Sequence, residues 1–290
     1  MNATAAVTLP GGVWREGVRH QEAGLRSLTG EDEAFLTETR GSLFPARQIS
    51  ILLSRCLTHL GPFSPVPADM AGSLTVGDRE ALLLHLRRLS LGERMPCVLA
   101  CPAPGCGAKM DLELRVTDLL QHPYSDAPER REITISENGD SYRVRFRLPT
   151  GGDQEAAAEL AGNDLPAAAG LVLKRCIMEV IRKEDNTPME CLPPAVARQL
   201  PEAMARLDPQ AEIRLSLSCP ECGRGFSTVL DTADFFFREL AGLSEDLYRE
   251  VHLLAFHYHW SEAEIMNMTA RKRRRYLNLL EEAFTEERRP

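Results

Sequence analysis

Two short stretches hold the residues best suited to chemistry, CPAPGCGAKM at 101–110 and CPECGRGFST at 219–228. Cys101 and Cys106 stand at C-x4-C spacing, Cys219 and Cys222 at C-x2-C. A proline after each first cysteine fixes φ, and Gly107 and Gly223 after the second permit positive φ, so thiolates and backbone N–H groups can turn toward one point. Four thiolates from two such knuckles satisfy the tetrahedral preference of Zn²⁺ and close its coordination sphere, leaving no open position for a substrate. A structural zinc bound by Cys101, Cys106, Cys219 and Cys222 is the expectation. Four free thiols in a ribbon that has lost its metal is the plainer alternative.

The knuckles belong to a longer repeat. With Cys106 laid on Cys222, Gly107 falls on Gly223, Met110 on Phe226, Leu114 on Leu230 and Asp118 on Asp234. With Cys101 on Cys219, Leu99 falls on Leu217, Cys97 on Leu215 and Met95 on Ile213. Apolar residues alternate on both sides of each knuckle, which predicts two half-buried hairpins of a zinc-ribbon kind. Cys97 then reads as a packing residue. Cys56 and Cys176 fall in apolar helical patterns, and Cys191 precedes Leu-Pro-Pro, so none of these has a partner.

Around the ribbon the chain reads as α+β. Residues 1–24 read as a flexible arm, and 25–94 as a helical section containing GLRSLTGEDEAFL, PARQISILLSRCLTHLG and a helix opened by Thr75 and Asp78. The ribbon hairpins occupy 95–118 and 211–236. The intervening 119–210 is too long for a loop and must form structure of its own. EITISENGDSYRVRFRL predicts a hairpin turning at Asn138-Gly139, and helices are expected through LVLKRCIMEVIRKE and PAVARQLPEAMARLD. Residues 237–290 read as a helical tail with a capping box at Ser261 and Glu264.

With 290 residues, 42 acids against 34 bases and a net charge of −8, the chain has room for a substantial core and no general attraction to nucleic acid or anionic membrane. The start lacks the basic and apolar regions of a secretory signal, and no apolar run reaches membrane-spanning length, so a cytoplasmic protein is expected. Closely spaced cysteines in that reducing setting favour metal over disulfides. Arg271-Lys272-Arg273-Arg274-Arg275 points all round a helix with acids on either side, and reads as a solvated face. His252, His257 and His259 lack a completing ligand. Gly151-Gly152 lacks the Lys-Ser or Lys-Thr of a phosphate loop and reads as a turn into a helix. No nucleophile elbow, zinc-protease, Walker or dinucleotide motif occurs, so no enzymatic activity is expected.

The order of GLRSLTGEDEAFL, RQISILLSRCLTHLG, LTVGDREALLLHLRRLSLGE, RFRLPTGGDQEAAA and LVLKRC, over residues 24 to 230, resembles the baseplate-hub assembly chaperone family of T-even-like tailed phages. The likeness is to the longer form found with phage tails and contractile injection systems. The resemblance implies a non-enzymatic assembly factor whose partners are baseplate hub, tape-measure or other central tail proteins. The zinc site rests on the cysteines alone. HLLAFHYHWSEAEIMNMTARKRRRYL is similar to segments of tail-assembly proteins, and Leu253, Leu254, Phe256, Tyr258, Trp260, Ile265 and Met268 are expected to form or support the grip on a partner helix. Two rivals stand beside it: a zinc-ribbon nucleic-acid binder using Arg143, Arg145, Arg147 and the 271–275 run, and a redox protein using the Cys219–Cys222 dithiol.

Overall fold

The computed structural model describes residues 4–244 and 246–287. A hairpin of β1 (Thr4–Arg15) and β2 (Val18–Arg26) leads into α1 (Gly30–Glu38) and α2 (Pro45–Cys56), and β3 (Leu57–Leu60) returns to pair with β2. After α3 (Ala68–Ser73) and α4 (Val76–Leu91) comes the first knuckle hairpin, β4 (Arg94–Ala100) and β5 (Lys109–Arg115), closed by α5 (Val116–Leu119). The same order then recurs. The hairpin β6 (Arg131–Glu137) and β7 (Asp140–Phe146) precedes α6 (Gly151–Ala161) and α7 (Leu165–Cys176), and β8 (Ile177–Arg182) pairs with β7. A two-residue β9 (Thr187–Pro188), α8 (Pro194–Leu207) and the second knuckle hairpin, β10 (Ile213–Ser218) and β11 (Gly225–Leu230), follow. The chain ends in α9 (Thr232–Ser244), α10 (Leu247–Tyr258), α11 (Glu262–Met266) and α12 (Ala270–Glu287).

The repeat therefore extends far beyond the cysteines. In each copy a three-stranded meander carries a register shift where its second strand meets the third, at Gly24/Leu25 and at Arg145/Phe146. The first copy's core is the largest, with Leu9, Leu25, Leu52, Leu53, Leu60 and Leu82 all fully buried. The second copy packs Val144, Phe146, Cys176, Val196 and Leu200 around its own sheet.

Three expectations are corrected. The arm at 1–24 is, over its described residues, a hairpin: β1 pairs with β2, Val7, Leu9 and Val13 are buried in the first copy's core, and Gly12 at φ 78° lies in the register shift between Thr8 and Val13. The helix expected to begin at Gly24 begins at Gly30, because Leu25 and Arg26 still belong to β2. The helices through LSRCLTHL and LKRCIMEV both stop at the cysteine, and Leu57–Leu60 and Ile177–Arg182 are strands. Apolar runs of four to six residues fit either state by periodicity, and sheet pairing decides them. The Asn138-Gly139 hairpin is found as expected, with both turn residues at positive φ, 53° and 94°.

Candidate metal centre and the clamped helix joints

The two knuckles meet. Met95 pairs with Leu114 and Ile213 with Leu230 at the base of the hairpins, where they pack with Leu84 of α4, Val116 and Leu119. Toward the tips, Met110 of the first hairpin and Phe226 of the second pack beside Cys101 and Cys219. The hairpins are thus stacked over α4 with their turns pointing the same way. Gly107 and Gly223 have φ of 60° and 70°, the left-handed backbone that the knuckle turns demand.

Cys101 Sγ lies 3.8 Å from Cys222 Sγ, and Cys106 Sγ lies 3.8 Å from Cys219 Sγ. All four sulfurs fall within 4.8 Å of one another, a group that could hold a metal ion. Both of the 3.8 Å pairs named take one sulfur from each copy of the repeat, at separations far beyond the ~2 Å of a disulfide. Cys101 and Cys219 are buried, and Cys222 is exposed at the rim. The backbone N–H groups of Cys222 and Glu221 donate to the Cys219 sulfur and, against the opposing effect of desolvation, bring its thiol down to about 7. Among the described residues no other group of His, Cys, Asp and Glu converges in this way. His252, His257 and His259 are dispersed along the tail, where His252 and His257 contact Phe256 instead.

The two buried cysteines outside the centre are not poised for chemistry. Cys56 and Cys176 are fully buried at the ends of α2 and α7, and burial pushes the Cys176 thiol up to about 12. Cys97 is half-buried and Cys191 exposed.

Each copy of the repeat also carries a clamp, matching in the two copies, that the sequence reading missed. In the first copy Arg26 grips Asp32 through two bonds (2.5 and 3.1 Å), Arg55 Nε adds a third (2.9 Å), and Thr29 donates from N–H and hydroxyl to Asp32 Oδ2 (both 3.0 Å). In the second, Arg147 grips Asp153 (2.5 and 2.9 Å), Arg175 Nε adds 2.8 Å, and Thr150 donates at 2.9 and 3.0 Å. The shared signal is R-x-x-T-G-x-D, at 26–32 and 147–153, with Arg-Cys some two dozen residues later, at 55–56 and 175–176. Burial opposes the charge of Asp32, but the bonds from Arg26, Thr29 and Arg55 outweigh it and hold the carboxyl below the usual range; Asp153 is held down in the same way by Arg147, Thr150 and Arg175.

Each clamp also receives the start of another helix. Gly151 N–H donates to Leu74 O (3.1 Å), and Arg79, four residues after the cap Thr75, crosses the glycine to reach Ser50 Oγ and Ala46 O. In parallel, Gly30 N–H donates to Met268 O (3.1 Å), and Arg273, four residues after Thr269, crosses Gly30 to reach Glu33 (2.6 Å) and Glu250 (2.8 Å). A Cβ on Gly151 would collide with the Arg79 guanidinium, so the glycine there serves close approach. Gly151-Gly152 is a turn into α6 with Thr150 as its cap, as expected.

The tail is consequently built into the body. Leu254 and Ile265 are fully buried in a cluster that includes Ala34 of α1. Tyr258 stacks on Trp260 (4.6 Å), both meet the Tyr276 ring, and Met268 contributes its carbonyl to the joint. Of the residues expected to grip a partner, Phe256 stands out at 67% exposure, and Leu253 lines a groove of about 390 Å³ with Leu277, Leu280 and Phe284. The basic run is not uniformly solvated either: Arg273 is 1% exposed, its neighbours exposed. The helix periodicity that brings one position in five inward is the signal that could have shown it. Arg145 pairs with Glu179 and Arg147 with Asp153, so two of the three strand arginines are committed to acids.

Among the described residues no helix is long and apolar enough to cross a membrane. No curated protein and no solved structure matches the chain. The family described as T4 bacteriophage base plate protein matches residues 19–238, a span that takes in both clamps and both knuckles and stops short of the tail's last three helices; the chain belongs to that family.

Proposed function

We propose that this protein is a non-enzymatic assembly factor for the baseplate hub of a phage tail or contractile injection system, braced by a structural Zn²⁺ bound by Cys101, Cys106, Cys219 and Cys222. The family match over residues 19–238 supports a baseplate role, and the resemblance to hub assembly chaperones supports the narrower reading of an assembly factor. The sulfur geometry carries the second. With Zn–S of about 2.3 Å, the sulfurs of a regular tetrahedron stand about 3.8 Å apart, the separation found for both cross-hairpin pairs. Four thiolates suit Zn²⁺ and fill its sphere, so the ion would tie the two copies together and offer nothing to a substrate. The partners under this reading are hub, tape-measure or other central tail proteins, met in the host cytoplasm during assembly. Phe256 is the exposed member of the expected grip, Leu253, Tyr258, Trp260 and Met268 are half-buried, and Leu254 and Ile265 are buried.

The nucleic-acid reading is disfavoured by the pairing of Arg145, Arg147 and Arg273 with acids and by the net charge of −8. The redox reading is disfavoured because Cys219 and Cys222 do not stand apart as a dithiol: their sulfurs belong to a group of four that also takes in Cys101 and Cys106.

The test is to recover the tagged protein from its host system at successive stages and quantify it beside hub and tail components by mass spectrometry. An assembly factor is enriched with hub intermediates and depleted from finished particles. A fixed copy number in mature particles would replace the chaperone reading with that of a permanent baseplate component, and absence of every tail protein would remove both.

A further inference from the structure

The two knuckle hairpins are separate two-stranded sheets, β4-β5 and β10-β11, so each leaves two open edges. The ladders define what those edges present. Cys101 N–H donates to Ala108 O and Cys219 N–H to Arg224 O. With the registers, this turns odd-numbered residues of β4 and β10, and even-numbered residues of β5 and β11, toward their own hairpin partners. The remaining residues point their N–H and C=O groups outward.

Three of the four edges are guarded against pairing in the usual ways, by charge or proline. The β5 edge is charged at Lys109, Asp111, Glu113 and Arg115. The β4 edge carries Arg94 and Pro96, and the β10 edge carries Arg214. The edge of β11 presents Gly225, Ser227 and Val229, with neither charge nor proline. Val229 is 51% exposed, and beside it runs a groove of about 500 Å³ lined by Val98, Leu215 and Phe235.

We propose that β11 is the strand through which two copies of this chain join, antiparallel about a two-fold axis at Ser227, forming one continuous sheet β10-β11-β11-β10. The edge is self-complementary in that register. Ser227 meets Ser227 of the second copy, and Val229 meets Gly225, whose missing side chain leaves room for the valine. Each outward N–H then faces a C=O, two bonds to each residue pair, and no like charges are opposed across the strands. A two-fold contact of this kind closes on itself and stops at a dimer. It leaves the four sulfurs untouched, so it stands or falls independently of the metal.

Sedimentation velocity of the full-length protein from low to high micromolar concentration tests it. The wild type is expected to pass from monomer to dimer. Val229→Pro removes an N–H that makes no bond to β10, and Val229→Lys places a charge on the edge; both are expected to stay monomeric over the same range with unchanged far-UV circular dichroism. A wild type that remains monomeric throughout would overturn the proposal and leave the edge to a strand of another protein. A dimer surviving in both variants would overturn it by moving the contact elsewhere.

Discussion

Arg273 and the two clamped aspartates show how differently single residues weigh here. Arg273 is 1% exposed and neutralises Glu33, itself 3% exposed, together with Glu250. Arg273→Ala leaves both carboxylates without their main cation, a loss on the order of 3–5 kcal/mol for a buried pair broken from one side. Lys272→Ala, on the exposed side of the same turn, should stay within about 0.5 kcal/mol. Urea denaturation of the two variants separates them, and equal losses would mean that the Arg273 joint contributes nothing special. Acid tells a second story. Asp32 and Asp153 have their carboxyls held below the ordinary range, so their stabilisation is complete above about pH 4 and disappears as pH falls through the lower folded value. Asp78 is opposite in sign. It is fully buried with one oxygen bonded to Gly11 N–H (2.7 Å) and the other unpartnered, and burial raises it to about 6. The folded state prefers its proton, so the benefit is present below about pH 4 and lost as pH rises through 6, up to about 3 kcal/mol for a two-unit displacement. Asp78→Asn should therefore flatten the fall in stability between pH 4.5 and 7.5, measured by denaturant titration at each pH; a fall as steep as the wild type's would assign it to other groups.

At the scale of elements, the knuckle hairpins are the least self-sufficient parts. Each has only two strands, a size that is marginal alone, and their shared interior is two small clusters, one around Met95 and Ile213 at the base and one around Met110 and Phe226 at the tips. Cys222→Ser, or a strong chelator, should accelerate amide exchange in β4, β5, β10 and β11 while the sheet of β6, β7 and β8 keeps its protection. Uniform acceleration through both regions would mean that the ion supports the whole fold; no change would mean that it supports neither. These hairpins were legible in the sequence because alternation, proline, glycine and cysteine all agreed there. The strands β3 and β8 were not, since Leu-Thr-His-Leu and Ile-Met-Glu-Val follow helices without a break of composition, and only pairing with β2 and β7 makes them strands. The first hairpin was hidden by its Pro10-Gly11-Gly12 interruption, which the fold uses for a register shift instead of a stop. The clamps could have been read: R-x-x-T-G-x-D occurs twice, but comparing copies only around the cysteines stops short of it.

The molecule is two copies of one unit, each with a meander, a clamped helix pair and a knuckle hairpin, followed by a helical tail that docks on the first copy much as α4 docks on the second. Charge alone did not reveal this arrangement, because Arg79 and Arg273 look like ordinary surface bases until their glycine partners are known. The knuckles are where the copies meet through sulfur, and on the proposed function one ion holds them there. Metal analysis of the untagged protein, combined with X-ray absorption at the zinc edge, decides whether that ion is bound. The prediction is one zinc per chain with four sulfur neighbours at about 2.3 Å. Protein that folds without stoichiometric metal, or a zinc shell containing nitrogen or oxygen in place of sulfur, would contradict it.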